Sequence, residues 1–225
     1  MLREMRKRVA FVTIGQSPRS DMVPQMLAEI RTPVDAIERG ALDGLGEAEI
    51  AATGPRPGDE QLVSRLRDGR EVLLGKPALE ARLRVILAEL DAQGFDLIVL
   101  LCTGRFEPFR LRTPFIEPQH TVDHFVQGLA YGVDELGVLL PVAKQAEDFH
   151  GIPGLRPKFA IASPYAPDAG PGLAAAGAAL ADTGLIVMHC MGYSEPMRQE
   201  VRRHAGRPVL LARRLVGQAI DLMIS

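Results

Sequence analysis

Leu97-Ile98-Val99-Leu100-Leu101-Cys102-Thr103-Gly104-Arg105-Phe106-Glu107-Pro108 is followed, 88 residues on, by Leu185-Ile186-Val187-Met188-His189-Cys190-Met191-Gly192-Tyr193-Ser194-Glu195-Pro196. The two stretches align without a gap and agree at seven of twelve positions, where average composition gives about one. Between them they hold both cysteines of the chain. A branched apolar run ending in Cys-x-Gly predicts a buried parallel strand that runs into a tight loop, the place where open α/β sheets hold their ligands. Two such loops, each with a thiol, point to two halves facing a shared cleft.

The rest of the chain repeats a β-then-α grammar. Arg8–Ile14 reads as a buried strand and Gly15-Gln16-Ser17-Pro18-Arg19 as the loop behind it. Ser20 is placed to cap a helix carrying Met22, Val23, Met26, Leu27 and Ile30 at helical spacing. Val34–Ile37 reads as a strand and Glu47–Ala52 as a short helix. Leu62–Arg67 and Glu71–Leu74 flank Asp68-Gly69, a hairpin signal, and their charges predict a surface hairpin. Lys76–Gln93 is the clearest helix, with Leu79, Leu83, Ile86, Leu87 and Leu90 on one face and Gly94 as its stop. In the second half, helices are predicted over His120–Tyr131, Val142–Phe149, Gly172–Asp182, Glu195–His204 and Arg213–Ile224. The strands there are Leu136–Leu140, Lys158–Ala162, Leu185–His189 and Val209–Leu211. Strands separated by helices pair in parallel through right-handed crossovers. The expectation is an α/β protein of two pseudo-symmetric lobes, 1–113 and 114–225, each a parallel sheet flanked by helices with the site in the cleft between them. The closing helix, 212–225, is expected to return to the first lobe.

Composition limits the function. Apolar residues make up 47% of the 225 and the net charge is −2, which affords a core and supplies no basic stripe for nucleic acid. Tryptophan is absent and aromatics are 5%, which leaves no base-stacking platform. The basic start, Met1 to Arg8, precedes an apolar run of only six residues, Val9–Ile14. A signal peptide needs roughly 7–15 and a membrane span about 18–20. The expectation is a cytoplasmic protein with free thiols and no membrane partner.

A thiolate is the reactive form of cysteine, and helix N-termini or nearby cations lower the thiol pKa from about 8.5. Cys102 and Cys190 are each followed by Gly and then by a predicted helix start, so backbone N–H groups would face the loop and favour either a thiolate or a bound carboxylate. One thiolate would remove a proton next to a carboxylate and the other thiol would return one to the opposite face. Donors that stabilise the enediolate would carry most of the rate. Thr103, Gly104, Arg105, Met191, Gly192 and Tyr193 in the two loops are the candidates, with Gly15, Gln16, Ser17 and Arg19, whose guanidinium can fork onto a carboxylate. The plainer reading is that free cysteine usually packs in a core. His120 and His124, four apart, mimic a zinc pair but lack a third ligand and read as surface or capping histidines. His189 alternates with Cys190, so its side chain points away from the thiol. Glu107 and Glu195 read as acids leading helices.

These residues also carry a resemblance. Val12-Thr13-Ile14-Gly15-Gln16-Ser17-Pro18-Arg19, Gly40-Ala41-Leu42-Asp43, Gly94 to Leu100, Pro141-Val142 and Cys190-Met191-Gly192-Tyr193 make the chain resemble the AroM family over essentially its whole length. That family lies within the aspartate/glutamate/hydantoin racemase superfamily, to which Cys102-Thr103 and Cys190 at equivalent strand ends are the link. The resemblance implies two pseudo-two-fold lobes, one cysteine from each as paired acid and base, and no metal or pyridoxal phosphate cofactor. It places Thr103 on a substrate carboxylate. The chain departs from the racemases in having Gly104 where Asn or Thr is common, and Met191-Gly192 where Thr-His is common.

The expected function is a cofactor-independent racemase or isomerase acting on a small carboxylate. Two alternatives are a decarboxylase or C–C lyase using one thiol, and a non-catalytic carboxylate sensor linked to aromatic amino-acid metabolism. Such folds commonly pair as homodimers.

Overall fold

The computed structural model describes residues 6–225; the start of the basic lead, residues 1–5, lies outside them. The chain divides into two compact units. One runs to Gln119 and takes in Val216–Ser225, and the other is His120–Leu215.

The first unit is built on β1 (Lys7–Thr13), a run that is apolar from Val9 to Val12 and fully buried there. After α1 (Val23–Ala28), β2 (Val34–Gly40) pairs parallel to β1 along its whole length. The helix starts at Val23, not at Ser20, because the N–H groups of Met22 and Val23 both turn back to the Arg19 carbonyl and Pro24 fits the first turn. α2 (Glu47–Ala52) precedes an antiparallel hairpin, β3 (Gln61–Arg65) and β4 (Glu71–Gly75). This hairpin is not the surface feature its charges suggest. Leu62, Val63, Ser64 and Leu74 are buried, and the arginines project from the other positions and the turn. α3 (Lys76–Asp91) buries Leu79, Leu83, Leu87 and Leu90, the stripe its periodicity predicts. β5 (Leu97–Leu100) is wholly buried and pairs parallel to β1, and the two-residue β6 (Phe115–Ile116) completes the order β2-β1-β5-β6.

The second unit repeats the plan. α4 (Pro118–Leu129) leads to β7 (Glu135–Leu140), the short α5 (Lys144–Glu147), β8 (Arg156–Ile161), α6 (Gly170–Ala179), β9 (Leu185–Met188), α7 (Glu195–Ala205) and β10 (Val209–Leu211). α5 ends early because Phe149 turns to stack edge-on against Phe159 and His189. The order β10-β9-β7-β8 is all parallel. Read from the other edge it is β8-β7-β9-β10, so β9 holds the position in its sheet that β5 holds in the first. The repeated dodecapeptides therefore occupy equivalent places. α8 (Ala212–Ile224) closes the chain, and Asp221 near its end accepts hydrogen bonds from the Arg31 and Thr32 backbone and the Arg31 side chain.

The two repeats diverge after the glycine. Ser194 takes the extended N-cap conformation and Pro196 sits in the first turn of α7. In the first repeat Phe106 stands where Ser194 does, and no helix follows; the chain runs as a loop to β6. Phe106 is buried, Phe109 packs between Phe106 and Phe115, and the backbone N–H groups of Glu107, Arg112 and Thr113 go to Glu80 and Asp91 of α3. The helix start expected behind Cys102 is absent because the cap is missing and α3 carboxylates take the amides. Among the described residues no helix is long and apolar enough to cross a membrane.

Candidate functional site

Each unit brings its candidate residues to the C-terminal end of its sheet. In the first, β1 and β5 leave side by side, joined just past the end of β5 by the Leu101 N–H on the Val12 carbonyl at 2.7 Å. Cys102 is in no disulfide and is 8% exposed. The Gly104 N–H lies 3.2 Å from its Sγ. Thr103 and Gly104 are half-buried and Arg105 is exposed. A Cβ on Gly104 would meet the Leu62 Cδ2 at 2.6 Å, so the hairpin packs onto this turn.

The β1 loop is held from several sides. The Gly15 N–H donates to the Thr13 Oγ1 at 3.3 Å and its carbonyl accepts from Leu42 at 3.0 Å. Asp43 is its staple: the Oδ1 accepts the Ser17 N–H at 2.9 Å, and the Oδ2 accepts the Ser17 hydroxyl at 2.5 Å and the Gly40 N–H at 2.7 Å. The Gln16 Oε1 accepts the Arg67 N–H, and the Arg67 side chain donates to the Ser17 carbonyl. Ser17-Pro18 is a cis peptide. Gln16 also lines a surface cavity of about 450 Å³, with Leu45, Ile50 and Leu66 as its apolar wall.

Arg19, read from sequence as a fork for a ligand carboxylate, is 3% exposed and forks onto Asp21 instead, at 2.9 and 2.8 Å, with a third bond to Thr13 Oγ1 at 3.0 Å. Burial works to raise the Asp21 pKa, but the hydrogen bond and charge of Arg19, joined by Arg65, hold it below the usual carboxylate range.

In the second unit Cys190 is likewise in no disulfide and is 9% exposed, with the Gly192 N–H 3.4 Å from its Sγ. Met191 and Gly192 are buried. A Cβ on Gly192 would come within 2.4 Å of the Tyr165 hydroxyl and 2.8 Å of the Pro164 Cγ. Tyr193, expected to face substrate, is fully buried and donates its hydroxyl to the Ala162 carbonyl at 2.7 Å. Burial foremost, with Cys190 and Tyr165 adding to it, pushes its phenol well above the ordinary value. Cys190 packs with Ile186, Met188 and Tyr193, whereas the His189 Nε2 lies 3.2 Å from the Asp123 Oδ1. His120 and His124 stack with ring centroids 6.3 Å apart, and His124 is tied to the His120 carbonyl.

Arg213 was not a candidate from sequence. It is 3% exposed, and it donates through Nε to the Met191 carbonyl at 3.0 Å and through Nη2 to the Gly192 carbonyl at 2.9 Å. A signal existed: Arg213 and Arg214 sit in the first turn of α8, where the helix dipole disfavours cations. Asp43 had a signal only as part of the Gly40–Asp43 motif, whose role lies in contacts with a loop 26 residues earlier.

The family model described as AroM protein matches residues 9–224. No curated protein matches the chain. Among solved structures it is similar to arylmalonate decarboxylase, at 16% identity and a TM-score of 0.60 over 97% of this chain and 93% of that one. It is similar to the maleate cis-trans isomerase of Nocardia farcinica bound to TRIS, at 14% and 0.62 over 97% and 92%. A third is the aspartate racemase of Picrophilus torridus, at 10% and 0.61 over 95% and 92%. At these identities the likeness is one of fold, a pair of parallel α/β sheets flanked by helices.

Proposed function

The chain belongs to the AroM family, and from that premise we propose that it is a racemase- or isomerase-like enzyme that moves a proton on a small carboxylate between Cys102 and Cys190. One observation carries the reading. Both sulfurs stand just beyond equivalently placed strands and each faces the N–H of the glycine two residues on, at 3.2 and 3.4 Å. A backbone N–H on sulfur favours the thiolate, which is the basic form.

In the step proposed, one thiolate takes the proton from the carbon next to the carboxylate. The bonding pair moves into the carboxylate as an enediolate, and the second thiol gives its proton to the other face of the same carbon. Nothing is oxidised, and the sulfurs end with their protonation exchanged. The enediolate is the costly species, and each preorganised donor aimed at it is worth about 3–4 kcal/mol. Thr103 is the donor assigned here, with Gln16 as a further contact, since the Gly104 and Gly192 amides are directed at the sulfurs. Arg19 acts on the loop from beneath, through Thr13 and Asp21. The folds that share this architecture include a decarboxylase, an isomerase and a racemase, and proton delivery to such a carbanion is the chemistry this reading assigns to the chain.

The test is isotope exchange. Candidate 2-substituted carboxylates are incubated with the protein in D2O, and deuterium at the carbon next to the carboxylate is followed by NMR and mass spectrometry. Exchange is expected in the wild type, with Cys102→Ser and Cys190→Ser each lowering it by about 10²–10⁴. A protein that binds such acids undiminished in both variants and exchanges nothing overturns the proposal in favour of a sensor.

A further inference from the structure

We infer that Arg213 is a positioning residue for the Cys190 thiol: by holding two successive carbonyls of the Cys190 loop, it aims the Gly192 N–H at sulfur and keeps Cys190 ready as the thiolate. The inference rests on the two-thiol reading above.

The argument begins with the planarity of the peptide bond. In a trans peptide the C=O and N–H point in opposite directions. The Met191 carbonyl, which takes the Arg213 Nε at 3.0 Å, belongs to the same plane as the Gly192 N–H. Fixing that oxygen toward the guanidinium turns the hydrogen the other way, onto the Cys190 Sγ at 3.4 Å. The Gly192 carbonyl, which takes Nη2 at 2.9 Å, shares its plane with the Tyr193 N–H, and that N–H goes to the Cys190 carbonyl at 3.4 Å. One rigid fork therefore sets both peptide planes between Met191 and Tyr193.

Charge reinforces geometry. A cation on a carbonyl polarises the whole amide and strengthens its N–H as a donor. The positive charge reaches the sulfur through a single peptide unit. A guanidinium in this place is costly: it is 3% exposed and lies at a helix N-terminus, where the dipole opposes it. The planar fork meets both carbonyls in one fixed geometry, which the compact, rotatable ammonium of a lysine does not reproduce.

The surroundings of Cys190 leave Arg213 as the group to vary. Tyr193 stays neutral through the working range because burial raises its pKa. Tyr165 packs on Gly192 from the loop after β8, His189 pairs with Asp123, and from α7 Glu195 is bound by Arg198, with the Arg214 of α8 at 3.9 Å. The Cys102 turn has the same N–H on sulfur, packed by Leu62. Cys102 is therefore an internal control.

The experiment is site-resolved alkylation. Intact wild-type, Arg213→Met and Arg213→Lys proteins are treated with iodoacetamide from pH 5 to 10, and modification of each cysteine is timed by mass spectrometry. In Arg213→Met the Cys190 profile is expected to move up by about one pH unit, slowing its reaction at pH 7 by about tenfold, while the Cys102 profile stays in place. Arg213→Lys keeps the charge and loses the fork, and is expected to fall between. Profiles that do not move, or that move equally for both cysteines, overturn the assignment. Should Arg213→Met fail to fold, Arg213→Lys decides by the same criterion. Loss of isotope exchange from the wild type would remove the two-thiol reading and leave this profile standing; an unmoved profile beside intact exchange would remove Arg213 alone.

Discussion

The Cys102 and Cys190 loops share one turn and differ in what holds it. In both, a glycine N–H faces sulfur, at 3.2 and 3.4 Å. Around Cys102 the support comes from the Leu62 side chain, and on the neighbouring loop from the carboxylates of Asp43 and Asp21. Around Cys190 it comes from a buried guanidinium and a buried phenol, and the chain continues directly into α7. The turn is a local property of Cys-x-Gly and came with the repeat. The support is tertiary, and each unit has found its own.

The largest separation between the loops is expected from their glycines. At Gly192 an added methyl would meet a tyrosine ring and a proline ring at 2.4–2.8 Å, neither of which can yield by a simple rotation. At Gly104 it would meet the end of Leu62, which can. Overpacking of the first kind costs about 3 kcal/mol and of the second about 1. Urea unfolding of Gly192→Ala and Gly104→Ala measures both, and equal losses would erase the distinction.

Next are the polar supports. Asp43→Ala strips the Ser17 and Gly40 donors of their acceptor and is expected to cost about 2 kcal/mol. Hydrogen exchange should quicken at those amides while the Gly192 and Tyr193 amides keep their protection. Tyr193→Phe leaves the Ala162 carbonyl without its buried donor, for about 1–2 kcal/mol, and should show the reverse pattern. A variant that loosens both loops alike would mean that the supports are not local.

The order of strands and helices was legible because each element answers to a local rule: the leucine stripe of α3, the branched runs of β5 and β9, the Ser194-Glu195-Pro196 start of α7. The errors have local causes too. The repeat predicts a helix start behind Gly104 with Glu107 leading it, yet Phe106 stands where Ser194 does, and only a cap residue at that position makes the repeat symmetric. The charges of the hairpin predict a surface feature, but they lie at its ends and turn, while Leu62, Val63 and Ser64 between them are buried. For the site, the thiols and their glycines were visible in the duplication. Arg19 and Tyr193 are visible as residues but not as internally satisfied ones: Asp21 is only two residues from Arg19, but nothing local says that the guanidinium turns to it, and Ala162 is 31 residues from Tyr193. Asp43 and Arg213 act over 26 and 21–22 residues of chain, beyond the reach of any periodicity.

The smallest expected effect is in the pH range over which each support holds. Asp21 is paired with Arg19 and lies 3.9 Å from Arg65. Burial alone would raise its pKa, but these cations outweigh burial and leave it lowered. Unfolded, the group titrates near about 3.9. The folded form therefore binds its proton less readily, so the pairing contributes stability above that value and loses it as pH falls through the folded pKa. Tyr193 runs the other way. Its folded pKa is raised by burial, so its contribution is complete below the unfolded value of about 10 and is lost as pH climbs through the folded one. Residue-resolved hydrogen exchange across the pH range should show the amides of Gly15–Arg19 opening first in acid and those of Met191–Tyr193 opening first in alkali. Asp21→Asn should remove the acid ordering and leave the alkaline one; Tyr193→Phe should do the opposite. Loops that open together at both extremes would show that the β1 loop and the Cys190 turn depend on a common support, and the contrast between carboxylate and phenol would then have no consequence.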